Sequence, residues 1–220
     1  MGGHESIRVV GICGSLRPNG WTRAALKIAL AGAQERGAAA ELLDLRDYDL
    51  PFCGDVDAIE GNAGVQRLRQ KVSEASGIIL ATPNYHGSLS GALKNALDLM
   101  SMREFEGKVV GLIGVSGGRM GGTFTLNTLR AIGRTLHAWV IPSEAWVYNA
   151  DSAFSEDGHI KDPSSEERVR DVGRKIARLT RMLASREARE LLHLWEDDQA
   201  ATPSQAWNMS GPILAEELLD

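Results

Sequence analysis

Residues 77–98, GIILATPNYHGSLSGALKNALD, run from an apolar stretch through a turn dense in Pro, Asn and Gly into a segment of helical apolar spacing. Gly77 to Thr82 (GIILAT) is apolar at nearly every position, the pattern of a short strand covered on both faces of a parallel sheet. The turn from Pro83 to Ser88 ends it, and a helix is expected from Ser90 to Met102. Strand, glycine-rich turn and helix in that order form the repeating unit of a βαβ fold.

The unit recurs on both sides. Ile7 to Cys13 (IRVVGIC) predicts the first strand, followed by the turn GSLRPNG and a helix from Trp21 to Arg36. That helix carries Trp21, Ala24, Ala25, Ile28, Ala29 and Gly32 on one stripe. Ala39 to Leu45 reads as the second strand, residues 46–63 as polar and turn-rich, and Val65 to Ala75 as a helix with Val65, Leu68 and Val72 inward. Lys108 to Val115 (KVVGLIGV) is the fourth strand, leading into SGGRMGG and a helix from Thr123 to His137. Trp139 to Tyr148 is the fifth, and Pro142 inside it predicts an edge position or a late start, because proline cannot donate to a ladder. Glu166 to Leu183, with Val169, Val172, Ile176, Leu179 and Leu183, closes as an amphipathic helix.

Five strands alternating with helices predict an α/β fold. Right-handed crossovers favour a flavodoxin-like three-layer sandwich with a five-stranded parallel sheet in the order 2-1-3-4-5. Residues 1–184 form this domain in the present reading. Residues 185–220 form a C-terminal extension, with one more helix to about Trp195 and a polar tail.

Bulk composition narrows the function. The 220 residues are 43% hydrophobic and 24% charged, with a net charge of -5. This is a globular composition without the basic field that nucleic acid or an anionic membrane would need. No apolar run reaches the ~20 residues of a membrane-spanning helix. The N-terminus lacks the charged-then-apolar pattern of a secretion signal, so a cytoplasmic protein is expected. The two cysteines, Cys13 and Cys53, form no CxxC pair and no metal-ligand spacing, and no metal site is expected.

In such a sheet, ligands bind beyond the carboxyl ends of the strands where strand order reverses, here between the first and third strands. Gly14 to Gly20, Pro83 to Ser88 and Ser116 to Gly122 should therefore meet in one crevice. The first loop offers glycines for close backbone approach, the Ser15 and Thr22 hydroxyls, Arg17, Asn19 and a helix N-terminus, which together suit a phosphate. It matches neither G-x-x-x-x-G-K-[ST] nor G-x-G-x-x-G, which points to a single terminal phosphate rather than a triphosphate or a dinucleotide fingerprint. In the second loop Pro83 and Gly87 fix the backbone, Tyr85 and His86 offer flat faces, and Asn84 can reach the edge of a heterocycle.

GSLR at 14–17, PNYHGSLSGALKNALD at 83–98 and SGG at 116–118 resemble the NADPH-dependent FMN reductase family, which includes azoreductases and quinone or chromate reductases. The resemblance follows the element order from Arg8 to Leu183. It implies non-covalent FMN, with hydride taken from NADPH or NADH and electrons passed to a quinone, azo compound, metal oxyanion or free flavin. It further implies that Ser15, Arg17, Asn19, Trp21 and Thr22 surround the FMN phosphate. Pro83, Asn84, Tyr85, His86 and Gly87 would then lie along the isoalloxazine, and Ser116, Gly117 and Gly118 at its other edge. The helix 90–102 would form a homodimer or homotetramer. Relatives commonly carry a small polar residue where this chain has Asn19-Gly20-Trp21, so the resemblance leaves open which side chains close the phosphate site. No side chain is needed as a covalent catalyst.

Three rival readings come from other classes. Gly114-Val115-Ser116-Gly117-Gly118 fits G-x-S-x-G between a strand and a helix, and Asp151 and His159 follow in the order of a hydrolase triad. A flavodoxin-type electron carrier would share the fold and FMN but lack a nicotinamide site. A flavin-free scaffold would use the loops only as turns.

Overall fold

A computed structural model describes residues 7–118 and 122–184. The expected extension at 185–220 lies outside the described residues, as do residues 119–121 of the third turn. The strands are β1 (Arg8–Cys13), β2 (Ala39–Asp44), β3 (Gly77–Pro83), β4 (Val109–Val115) and β5 (Trp139–Val147). They form one parallel sheet ordered β2-β1-β3-β4-β5, the order expected of a flavodoxin-like fold. The helices are α1 (Trp21–Gln34), α2 (Val56–Ile59), α3 (Ala63–Ser73), α4 (Gly91–Asp98), α5 (Met102–Phe105), α6 (Gly122–Thr135), α7 (Ala150–Ala153) and α8 (Pro163–Leu183).

Every residue of β3 and β4 is buried, as their unbroken apolar runs require. Alternate side chains divide between two cores. Val9, Ile79, Ala81, Val109 and Ile113 pack toward α1 and α8. Val10, Ile12, Ile78, Leu80, Val110 and Leu112 pack toward α3, α4 and α6. The layer of α1 and α8 is unusually tight: a Cβ on Gly173 would stand 1.7 Å from the Ala29 carbonyl oxygen, and one on Gly32 would stand 2.1 Å from that of Arg170. α8 starts cleanly because Asp162 accepts from Ser165 N–H at 2.9 Å and Pro163 opens the first turn.

One expectation is met and one changes in detail. Pro142 sits on the edge strand, as expected, but β5 begins at Trp139; its register slips between the pairs Val110–Val140 and Leu112–Glu144, so Pro142 lies where the ladder is interrupted. The helix expected over 90–102 is two helices. α4 stops at Asp98 with Leu99 as its C-cap, and Ser101 opens α5. Ser101 and Glu104 form a reciprocal capping box that supplies the new start. The apolar spacing runs on through Met100 and hides the break.

Lys108, just before β4, is half-buried against the end of α3. Its Nζ donates to the Val72 and Ser73 carbonyls at 2.6 and 2.8 Å, at the helix terminus where Val72 also accepts from Ala75 N–H. Burial pushes its pKa down to about 8, against the opposing pull of Glu104. Among the described residues, no helix is long and apolar enough to cross a membrane, and no cluster of three or more His, Cys, Asp or Glu could hold a metal ion.

Candidate functional site

The first loop leaves β1 at Gly14, whose N–H donates to the Ala81 carbonyl of β3 at 2.8 Å. A Cβ at Gly14 would meet Leu93 Cβ at 2.8 Å, so glycine lets the chain pass under α4. Ser15 is only 2% exposed, and its Oγ accepts from Arg17 N–H at 3.3 Å. Gly20 caps α1 without any side-chain hydrogen bond, and a Cβ there would reach within 2.8 Å of Ser15 Oγ. Ser15 and the buried Thr22 thus lie at a helix start whose leading N–H groups no cap side chain occupies. Asn19 and Arg17 are exposed.

The Trp21 side chain is engaged within the fold. Its ring stacks on Phe154 with centroids 4.9 Å apart, and its Nε1 donates to Asp151 at 2.8 Å. Its backbone opens α1. Arg23, which the sequence did not single out, braces the first loop: its guanidinium donates to the Pro18 carbonyl and pairs with Asp44 at the end of β2. Burial works against the Asp44 carboxylate, but hydrogen bonds from Arg46 and the charge of Arg23 outweigh it and hold the pKa below its ordinary value.

The second loop is a two-residue hairpin. Tyr85 and Ser88 exchange N–H···O bonds of 3.0 Å each way, and both central residues, His86 (φ 53°) and Gly87 (φ 83°), are left-handed, as a type I′ turn demands. The central N–H groups stand outside the hairpin's own pair of bonds. Tyr85 is exposed, and the Arg17 guanidinium lies 6.0 Å from its ring centroid, so the first and second loops face each other. Pro83 is buried as the last residue of β3.

Ser90 was missing from the sequence-derived candidates, although a serine before a helical run is a cap signal. Its Oγ donates to the Gly14 carbonyl at 2.6 Å and accepts from Leu93 N–H at 3.1 Å, while its N–H donates to Thr82 Oγ1 at 3.0 Å.

The third loop joins on the other side. Asn84 N–H donates to the Val115 carbonyl at 2.8 Å, and Asn84 Oδ1 accepts from Thr125 of α6 at 2.8 Å. Ser116 is buried, and its Oγ accepts from Gly118 N–H at 3.2 Å. Among the described residues, nothing lies within 4 Å of a Cβ built on Gly117 or Gly118. The hydrolase geometry is missing: Asp151 serves Trp21, and His159 Nδ1 lies 3.3 Å from Glu166, leaving neither engaged with Ser116.

The sequence profile of the NADPH-dependent FMN reductases matches residues 7–152. An FMN-dependent NADPH-azoreductase of Staphylococcus aureus (strain USA300) is 38% identical over 151 residues, which make up 67% of this chain and 80% of that protein. Among solved structures, the flavoenzyme NAD(P)H:acceptor oxidoreductase FerB of Paracoccus denitrificans superposes with a TM-score of 0.67 at 21% identity, over 79% of this chain and 97% of that one. A flavodoxin from the domain Archaea gives 0.57 at 12% identity, over 79% and 99%, and both likenesses speak for the fold alone. With the profile and the azoreductase likeness covering strands, loops and helices alike, the chain belongs to the NADPH-dependent FMN reductase family.

Proposed function

We propose that the protein takes hydride from NADPH or NADH through FMN held between its three loops and delivers electrons to a small acceptor. The acceptor is of the quinone, azo, metal-oxyanion or free-flavin class. Its family makes it an oxidoreductase whose cofactors are FMN and a nicotinamide. The observation that carries the reading is the junction of loops: Ser90 ties the first to the start of α4, Arg17 faces Tyr85, and Asn84 bonds to both β4 and α6.

The residues present fit FMN. A terminal phosphate needs hydrogen-bond donors at close range, and the uncapped start of α1 with Ser15 and Thr22 supplies them without a bulky side chain at Gly20. A flat ring needs open space and rim donors, and the positions over Gly117 and Gly118, unfilled by any described residue, and the central amides of the hairpin answer that need. When bound, FMN supplies hydride acceptance and onward electron donation. The chain's own residues bind and orient: Ser15, Arg17, Asn19, Thr22 and the Trp21 backbone at the phosphate, Pro83 to Gly87 along the ring, Ser116 to Gly118 at its far edge. Amides fixed by the sheet on either side would stabilise charge that develops on the ring without reorganising.

Initial-rate kinetics test the proposal. Donor and acceptor that use one face in turn give parallel double-reciprocal lines, and intersecting lines contradict a shared face. The proposed assembly is a homodimer or homotetramer through α4. Phe52 supports it: this ring is 82% exposed beside α4, on a loop held there by Asn95, whose Nδ2 donates to the Pro51 carbonyl and whose Oδ1 accepts from Cys53 N–H, both at 2.9 Å.

A further inference from the structure

We propose that Arg23 is a positioning residue for the phosphate loop: acting through the Pro18 carbonyl, it sets how much more tightly the protein binds FMN than a flavin without a phosphate. This rests on the functional reading above. Arg23 lies in the first turn of α1, and its side chain is only 13% exposed. Its Nη1 donates to the Pro18 carbonyl, and its Nη2 pairs with Asp44 at the end of β2. The direction of both contacts is fixed, because a guanidinium only donates and a carbonyl or ionised carboxylate only accepts. Asp44 is itself held: it is buried, and the Arg46 side chain donates to its two oxygens at 3.2 and 2.9 Å.

Residues 16–19 are exposed. Among the described residues, their other hydrogen bonds stay inside the loop: Arg17 N–H donates to Ser15 Oγ at 3.3 Å, and the Arg17 carbonyl accepts from Gly20 N–H at 3.2 Å. Arg23 therefore supplies the hydrogen bond that ties this turn to α1 and, through Asp44, to β2. A loop held in its binding shape before the ligand arrives loses less conformational freedom on binding. In the present reading that gain falls on the phosphate and not on the ring, which lies along the other two loops. The same guanidinium also brings a positive charge to a helix start with no acidic residue in its first turn, where the macrodipole already favours an anion. Brace and charge make opposite demands on Asp44. A brace needs its anchor, whereas a charge acting on the phosphate gains when the opposing carboxylate is removed.

Affinities of flavin-free protein for FMN and for riboflavin, which lacks the phosphate, are read from quenching of flavin fluorescence. Arg23→Met is expected to weaken FMN by about 10-fold, the scale of one lost charged hydrogen bond, and to leave riboflavin within about 2-fold of wild type. Asp44→Asn keeps an oxygen to accept from Arg46 N–H and removes the carboxylate that anchors Arg23. It is expected to weaken FMN by about 3-fold or more, again with riboflavin unchanged, through loss of the charge-assisted anchor. Unchanged FMN affinity in Arg23→Met overturns the inference, as does an equal loss for both ligands. Asp44→Asn that binds FMN as tightly as wild type overturns it too, and tighter binding does so by showing that charge alone is at work. In each of these cases a Ser15→Ala variant that weakens FMN alone leaves the flavin reading intact. A wild-type protein that binds neither flavin, or binds FMN no more tightly than riboflavin, overturns the reading of the phosphate loop first, and this inference with it.

Discussion

The Ser90 hydroxyl lies 2.6 Å from the Gly14 carbonyl oxygen and 3.1 Å from Leu93 N, donating to the first and accepting from the second. One side chain therefore caps α4 and fastens the loop after β1 to it. Ser90→Ala removes the cap and strands a buried carbonyl, and should lower stability to urea by about 1–3 kcal/mol. FMN affinity should fall with it, because the phosphate loop loses its tie to the ring loop. Unfolding curves and flavin titration on the same preparation check both effects.

Gly117 separates ligand from fold. No described residue comes within 4 Å of its Cβ position, so Gly117→Val should leave the melting temperature of flavin-free protein unchanged while FMN affinity falls by about 10-fold or more through obstruction of the ring. Ser15→Ala should cost about 1–3 kcal/mol of FMN binding through the lost bond to a charged phosphate oxygen. Unchanged affinity in both variants would show that the flavin lies elsewhere.

Among these elements, the strands and three loops were readable because continuous apolar runs ended by Gly, Ser and Pro have few other interpretations in a βαβ pattern. The break between α4 and α5 was obscured because Met100 continues the apolar period across it, although Ser101 and Glu104 spell a capping box. Within the site, residue type gave away the loops but not the direction of side chains. Trp21 turns toward Phe154 and Asp151, on segments more than a hundred residues away in sequence, and no local pattern signals that contact. Thr125 was hidden for the same reason: its relation to Asn84 exists only once α6 is laid beside β3.

Lys108 makes stability depend on alkaline pH. Its pKa falls from 10.5 to about 8 on folding, so between those values the unfolded chain binds the proton and the folded chain releases it. This residue's unfavourable contribution is fully present below pH 8 and is relieved as pH rises toward 10.5. The unfolding free energy of wild type should therefore climb relative to Lys108→Met across that window. Parallel pH profiles for the two proteins would contradict the shift.

Phe52 tests the assembly. Phe52→Asp places a charge where the proposed contact needs an apolar ring, and light scattering should show the mass of a dimer or tetramer falling toward that of a single chain. A wild-type protein that is already monomeric, or a variant that assembles unchanged, rules this face out.

The central claim, flavin in the crevice reduced by a nicotinamide, is tested most directly by an anaerobic absorption titration of the protein reconstituted with FMN. The account predicts one FMN retained per chain after gel filtration and bleaching of its visible absorbance by one equivalent of NADPH or NADH. Protein that retains no flavin, or that retains flavin bleached by dithionite but by neither nicotinamide, would contradict it.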